Sequence, residues 1–200
     1  MRSKLEIAFE LDRRWRLLRG EMDGSKRAAV IELARILAEA GVPYAVIGGV
    51  ALQIHQSDPR TTIDIDLAVL ARDQIPREHL RKAGFRLTGT FANSENWIGP
   101  EETPVQFTDD ATLAAAIGRA QEISVESVKL RVIGKFDLLR EKLRAGSDPA
   151  RRRSKRLQDL ADAHSLVEGD ATLLDRLTDA ERKILDTAPL ITRRRAAGGS

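Results

Sequence analysis

Val46-Ile-Gly-Gly-Val-Ala-Leu52 and, after a short gap, Arg60-Thr-Thr-Ile-Asp-Ile-Asp-Leu67 are the two runs whose reading decides the fold. In an extended strand, alternate side chains share a face. Ile63, Ile65 and Leu67 are therefore expected to point into a core, and Arg60, Thr62, Asp64 and Asp66 to point the other way. Two carboxylates side by side on a rigid strand repel each other, and their pKa values must split unless a cation joins them. A divalent metal removes the conflict, and Mg²⁺ in particular takes one or two carboxylates together with substrate phosphates. Gly48-Gly49 ends the apolar strand before it and opens a helix. Lacking a β-carbon, a glycine lets the backbone come close to a ligand. Its amides, at a helix N-terminus, make a phosphate cradle. Strand, glycine pair and D-x-D together describe a site for a nucleoside triphosphate with a metal.

Outward from these runs, apolar spacing gives the remaining elements. Ile7, Ala8, Leu11, Trp15 and Leu18 predict one face of a helix over 4–19, broken by Gly20 and Gly24. A second helix is predicted over 25–40, stopped by Gly41. Residues 44–47 read as a buried strand, 50–56 as a short helix, 57–59 (Ser-Asp-Pro) as a turn, and 61–70 as the clearest strand. A helix follows Pro76 as far as Gly84, with weaker strands near 85–91 and 104–108. A short helix at 113–120 and a strand at 128–133 complete the sheet region, and helices over 135–145, 153–168 and 173–187 follow. The organisation expected is an N-terminal helix (1–24), an α/β core with a small mixed sheet (25–135), a C-terminal helical segment (136–188) and a disordered tail (189–200).

Composition excludes several classes. The chain has 200 residues and no cysteine, so disulfide scaffolds, thiolate zinc sites, iron–sulfur clusters and cysteine nucleophiles are ruled out. His55, His79 and His164 lie too far apart for a histidine metal motif, which leaves carboxylates. The first twenty residues carry charges throughout, unlike a signal peptide, and no stretch reaches the ~18 apolar residues of a membrane span. A cytoplasmic location without a membrane partner is the expectation. Net charge is only +3, yet residues 140–156 hold eight bases against Glu141 and Asp148, a local excess suited to phosphate or a polyanion.

The apolar residue, the Gly48-Gly49 pair, fourteen intervening residues and Asp64-Ile-Asp66-Leu67 resemble the signature of the DNA polymerase β-like nucleotidyltransferase superfamily. The run Arg60-x-Thr62-x-Asp64-x-Asp66 is similar to the bacterial branch of AbiEii toxins and their minimal relatives. Glu141-Lys142-Leu143-Arg144-Ala145 and Arg156-x-x-Asp159-x-x-Asp162 likewise resemble the E-K-x-x-A and R-x-x-D-x-x-D helical motifs of those proteins. The resemblance covers residues 25–168. It implies a sheet of the nucleotidyltransferase type and a reaction in which an acceptor hydroxyl attacks the α-phosphate of an NTP and expels pyrophosphate. It implies that Asp64 and Asp66 bind Mg²⁺ or Mn²⁺, with two metals about 4 Å apart stabilising the attacking and leaving oxygens. Gly48 and Gly49 then cradle phosphates beside Arg60 and Thr62. Lys142, with Asp159 near it, belongs to the catalytic set and neutralises phosphate charge. The acceptor implied is an RNA end such as tRNA, or a protein, and the branch implies a toxin with a cognate antitoxin.

One position departs from the pattern. The superfamily places a third carboxylate on a neighbouring strand, and here Thr103-Pro-Val-Gln-Phe-Thr108 turns Val105 and Phe107 inward and Gln106 toward the site. Asp110 and Glu102 are the other candidates. Plainer readings stand beside each motif. The glycine pair serves equally as a tight strand-to-helix turn. The two aspartates suit a solvent-facing sheet, and Lys142 a helix surface. Asp159 and Asp162 can pair with nearby arginines, and residues 151–156 can form a solvated helix start. Trp15 and Trp97 are expected to be packing residues. A catalytically eroded nucleotide- or RNA-binding protein, or the partner subunit of a toxin–antitoxin pair, is the alternative function, with Gln106 as its mark.

Overall fold

In the computed structural model, which describes residues 4–18, 26–56, 61–126 and 128–187, the two quoted runs become neighbouring strands. β1 (Tyr44–Ile47) is apolar throughout and buried along its whole length. It pairs antiparallel with β2 (Ile65–Val69), so that Ile47 lies opposite Asp66. β3 (Arg86–Thr90), β4 (Ser94–Gly99) and β5 (Thr103–Thr108) continue the sheet beyond β2. β6 (Gln121–Val125) and β7 (Val128–Val132) close the other side beyond β1, giving the order β3-β4-β5-β2-β1-β7-β6. Only β1/β7 and β2/β5 are parallel, so the sheet is mixed as expected. The inner strands bury Val46, Leu67, Val105 and Phe107. At about 1.5–3 kcal/mol per large apolar side chain removed from water, this row alone makes the strand register expensive to slip.

The helices of this region are α1 (Lys4–Leu18), α2 (Arg27–Glu39), α3 (Gly48–His55), the short α4 (Arg77–Lys82) and α5 (Ala114–Gly118); α2, α3 and α5 pack against strands, and α1 packs against α3. α6 (Lys135–Ser147), α7 (Arg153–Glu168) and α8 (Asp179–Asp186) follow. The chain divides into two units, Met1–Leu138 and Leu139–Ser200, and α1 falls in the same unit as the sheet. No helix among the described residues is long and apolar enough to cross a membrane.

Several expectations need correction. The strand predicted over 61–70 begins only at Ile65, and Ile63 is 48% exposed rather than part of the core. The reason is that residues 61–64 lie outside the ladder and are held by side chains, as described below. α1 turns a different face inward. Its buried residues are Leu5, Ala8, Phe9 and Asp12, while Ile7, Trp15 and Leu18 are exposed, so Trp15 is not a core residue although Trp97 is. β4 and β6 were not predicted. β4 alternates in burial, but its inward positions are Glu95, Trp97 and Gly99, not an apolar series, and β6 is buried only at its end, so neither shows an apolar alternation in sequence. The helix predicted over 173–187 is a 3-10 turn at Ala171–Arg176 followed by α8. Thr178 interrupts it by forming a capping box with Glu181: each backbone N–H donates to the other's side chain, at 2.9 and 3.3 Å. The predicted turn at 57–59, Arg60 and the tail lie outside the described residues.

Candidate active site

Gly48 has φ +60°, a left-handed conformation that costs an L-residue about 1–2 kcal/mol. That bend turns the chain from β1 straight into α3 and brings the first helical turn over the edge of β2. The approach is very close. A β-carbon on Gly48 would sit 2.9 Å from Asp66 Cγ, and one on Gly49 would sit 2.7 Å from Thr62 Cβ. Both glycines are therefore pressed against the stretch from Thr62 to Asp66 that carries the D-x-D. The bare tight-turn reading of Gly48-Gly49 explains the bend but not this contact.

The two aspartates are half-buried, and Ile65 between them is buried. Thr62 Oγ1 donates to Asp64 Oδ1 at 2.7 Å. Asp66 lies in register with Gln106 on β5, and Gln106 with Asn96 on β4. Gln106 is exposed and its Nε2 donates to Asn96 Oδ1 at 3.2 Å. The position next to Asp66 is thus held by amides, in line with the sequence reading of this strand. The other carboxylates considered for that role are engaged elsewhere. Asp110 caps the turn at Ala111–Leu113 by accepting from Thr112 N at 2.9 Å, and Glu102 pairs with Arg86 at 2.9 Å. Among the described residues no group of three or more His, Asp or Glu side chains is arranged to hold a metal. Two carboxylates cannot form a complete protein cage. They do suit Mg²⁺, which keeps waters and takes the rest of its ligands from substrate phosphates.

Two residues that sequence reasoning missed support this segment. Asp12 of α1 and Lys26, just before α2, are each 2% exposed and form an ion pair. Asp12 Oδ1 accepts from Thr62 N at 3.0 Å, and Lys26 Nζ donates to Thr62 O at 2.6 Å. Burial holds the Lys26 ammonium below the usual lysine range, against the attraction of Asp12 and Asp64. The signal was present in the sequence: Asp12 continues the Leu5, Ala8, Phe9 stripe at helical spacing.

Lys142 and Asp159 lie in the helical unit, on α6 and α7. Lys142 is buried, not a surface lysine, and its Nζ lies 3.0 Å from Asp159 and 3.1 Å from Asp162. Arg151 Nε adds a second cation 2.9 Å from Asp159. Burial opposes the charge on Lys142, but Glu141, Asp162 and Asp159 together hold its pKa above the ordinary value. Burial pushes the neighbouring Glu141 carboxyl up. Arg152, Arg153 and Lys155 are exposed, and Arg156 donates to the Gly146 carbonyl at 3.0 Å.

Solved structures share this architecture. The chain is similar to an antigenic nucleotidyltransferase-like protein from Paracoccidioides brasiliensis, with TM-score 0.50 and 20% identity over 82% of this chain and 91% of that one. It is similar to ANT(2")-Ia in complex with adenylyl-2"-tobramycin, with TM-score 0.50 and 14% identity over 76% and 98%. It is also similar to the Megavirus polyadenylate synthase, with TM-score 0.53 and 13% identity over 82% of this chain but 35% of the synthase. No protein-family model matches the sequence, and no curated protein does. The fold is that of nucleotidyltransferases.

Proposed function

We propose that this chain moves a nucleotidyl group from a nucleoside triphosphate to an acceptor hydroxyl. The observation that carries the reading is the contact of Gly48-Gly49 with Asp66 and Thr62, because it sets the glycine-opened start of α3 against Asp66 and against the threonine that holds Asp64, an arrangement that suits a triphosphate. The amides at the start of α3 orient the β- and γ-phosphates. Asp64 and Asp66 supply the anionic side, with Thr62 fixing Asp64. Mg²⁺ or Mn²⁺, held by the two aspartates and the triphosphate, would offset charge building on the phosphoryl oxygens. In the transfer, the bond from acceptor oxygen to Pα forms, the bond from Pα to the bridging oxygen breaks, pyrophosphate leaves, and the hydroxyl proton is lost. Gln106 can hydrogen-bond the acceptor but cannot take up that proton.

The acceptor we propose is an RNA end, tRNA included, because residues 140–156 carry a net excess of six positive charges and Arg152, Arg153 and Lys155 among them are exposed, which suits a polyanion. Lys142, buried against Asp159 and Asp162, contributes by holding the helical motif in shape. The similarity of both motifs to the AbiEii branch extends the proposal to a toxin in the cytoplasm with a cognate antitoxin, and includes a protein hydroxyl as the other acceptor. A second reading has its own support: the amide pair Gln106–Asn96, in register with Asp66, offers no third carboxylate there, as expected of a protein that binds nucleotide or RNA without turning it over. Incubation with each NTP, Mg²⁺ or Mn²⁺ and total RNA, followed by mass spectrometry of RNA and protein, separates the two. A mass increment of one nucleotide on either acceptor supports transfer. Saturable NTP binding with no increment under any condition favours the binder.

A further inference from the structure

Residues 61–64 carry the first metal-site carboxylate, yet they lie before β2 begins and no strand pairs with them. Their backbone is held from elsewhere. The ion pair of Asp12 and Lys26 grips both polar groups of the Thr62 peptide: the N–H donates to Asp12 at 3.0 Å and the carbonyl accepts from Lys26 at 2.6 Å. Gln53 of α3, five residues from Gly48, reaches Asp12 at 3.4 Å, which ties the glycine helix into the same clamp. From Thr62 one bond leads on, its hydroxyl to Asp64 Oδ1 at 2.7 Å. Such an arrangement is poorly explained by stability. A buried ion pair pays desolvation on both ions, and apolar replacements of similar volume are often neutral or better. What a charged pair supplies that apolar residues cannot is a fixed donor and a fixed acceptor for one peptide unit.

We propose that Asp12 and Lys26 are positioning residues that fix the Asp64 carboxylate for metal–triphosphate binding by clamping Thr62. Asp12 of α1 and Lys26, just before α2, thereby support a site whose carboxylates lie on β2 and on the stretch that precedes it. The inference rests on the nucleotidyl-transfer reading, because it needs Asp64 to be a ligand. It assigns Thr62 a role through Asp64 instead of through direct contact with the nucleotide.

The test is Mn²⁺ affinity in the presence of NTP, read by electron paramagnetic resonance on the full chain, alongside circular dichroism. Loss of a group that orients a ligand typically weakens metal binding about 10–100-fold. Thr62→Val keeps shape and removes only the bond to Asp64, so it is expected to weaken Mn²⁺ binding by at least about tenfold. Thr62→Ser is expected to restore the wild-type value. Asp12→Asn is expected to weaken binding similarly, and the Asp12→Asn/Thr62→Val pair no further than either alone, because both act through one path. If Asp12→Asn fails to fold, the Thr62 pair decides. Wild-type Mn²⁺ affinity in Thr62→Val, or a folded Asp12→Asn or Lys26→Met protein with unchanged affinity, overturns the clamp. Asp64→Asn separates the two levels of the argument. If it abolishes Mn²⁺ binding while Thr62→Val does not change it, the nucleotidyl reading stands and the clamp falls. If it binds Mn²⁺ as the wild type does, both fall.

Discussion

Replacing Gly48 by alanine tests the contact on which the site is built, and Gly41 supplies its internal control. The two glycines have nearly the same backbone, φ +60° and +62°. A β-carbon on Gly41 meets nothing within 4 Å, whereas one on Gly48 falls 2.9 Å from Asp66 Cγ and nearer still to its carboxylate oxygen. Gly41→Ala therefore isolates the cost of the left-handed backbone, about 1–2 kcal/mol. Gly48→Ala carries that cost too, but its crowded neighbour is the end of a side chain, which can swing away cheaply. The stability losses of the two variants should agree within about 1 kcal/mol by urea unfolding. Function should not agree. To reach ordinary contact the Asp66 carboxylate must retreat by an appreciable fraction of an ångström, and a misplacement near 1 Å can cost about a hundredfold in rate. Pyrophosphate release should fall by about tenfold to a hundredfold in Gly48→Ala and stay at the wild-type rate in Gly41→Ala. Equal activity in the two variants would show that the glycine pair is only a turn, and would refute the reasoning.

The helical unit offers two further tests. Lys142→Met should destabilise the fold by about 3–5 kcal/mol, because it removes the cation that lies against both buried Asp159 and Asp162; urea unfolding measures it, and a loss under 1 kcal/mol would show that the pair is solvated. Glu141→Gln should be stabilising at neutral pH, since Lys142 and Arg151 already balance Asp159 and Asp162 without it. The sign follows from burial raising the Glu141 carboxyl above its unfolded value. Its contribution is fully present below the unfolded pKa and is lost as pH rises through the folded one. The advantage of the glutamine variant should therefore grow as pH rises from the ordinary carboxylate range, and unfolding curves at a series of pH values that show no such growth would contradict it.

The site was legible in the sequence where its geometry follows from spacing of one or two residues. Alternation put Asp66 and Gln106 in register on the face away from buried Ile65, Leu67, Val105 and Phe107, and the glycine pair fell at the strand end. Readings failed where a side chain from far along the chain replaced a backbone ladder. Ile63 looks like a core residue of a continuous strand, but the clamp from Asp12 and Lys26 holds that stretch outside the sheet and leaves Ile63 in solvent. The same clamp explains the misread face of α1. Counting Asp12 as polar rotates the apparent apolar stripe toward Ile7 and Trp15, although Asp12 is buried with Leu5 and Phe9. Lys142 and Asp159 were found by motif, but motif carries no burial. Only the structure shows that the lysine is buried between two carboxylates.

The account depends most on Asp64 as a ligand in a transfer reaction, and one comparison tests it directly: nucleotide transfer and pyrophosphate release by wild type and Asp64→Asn, with each NTP, Mg²⁺ or Mn²⁺, and RNA. The substitution removes a charge but keeps the shape and the acceptor for the Thr62 hydroxyl. Metal-assisted stabilisation of the transition state is worth several kcal/mol, and each ~1.36 kcal/mol is about tenfold in rate. The account predicts transfer by the wild type and a loss of about a thousandfold or more in Asp64→Asn, with the unfolding midpoint little changed. Transfer by Asp64→Asn at the wild-type rate would contradict it.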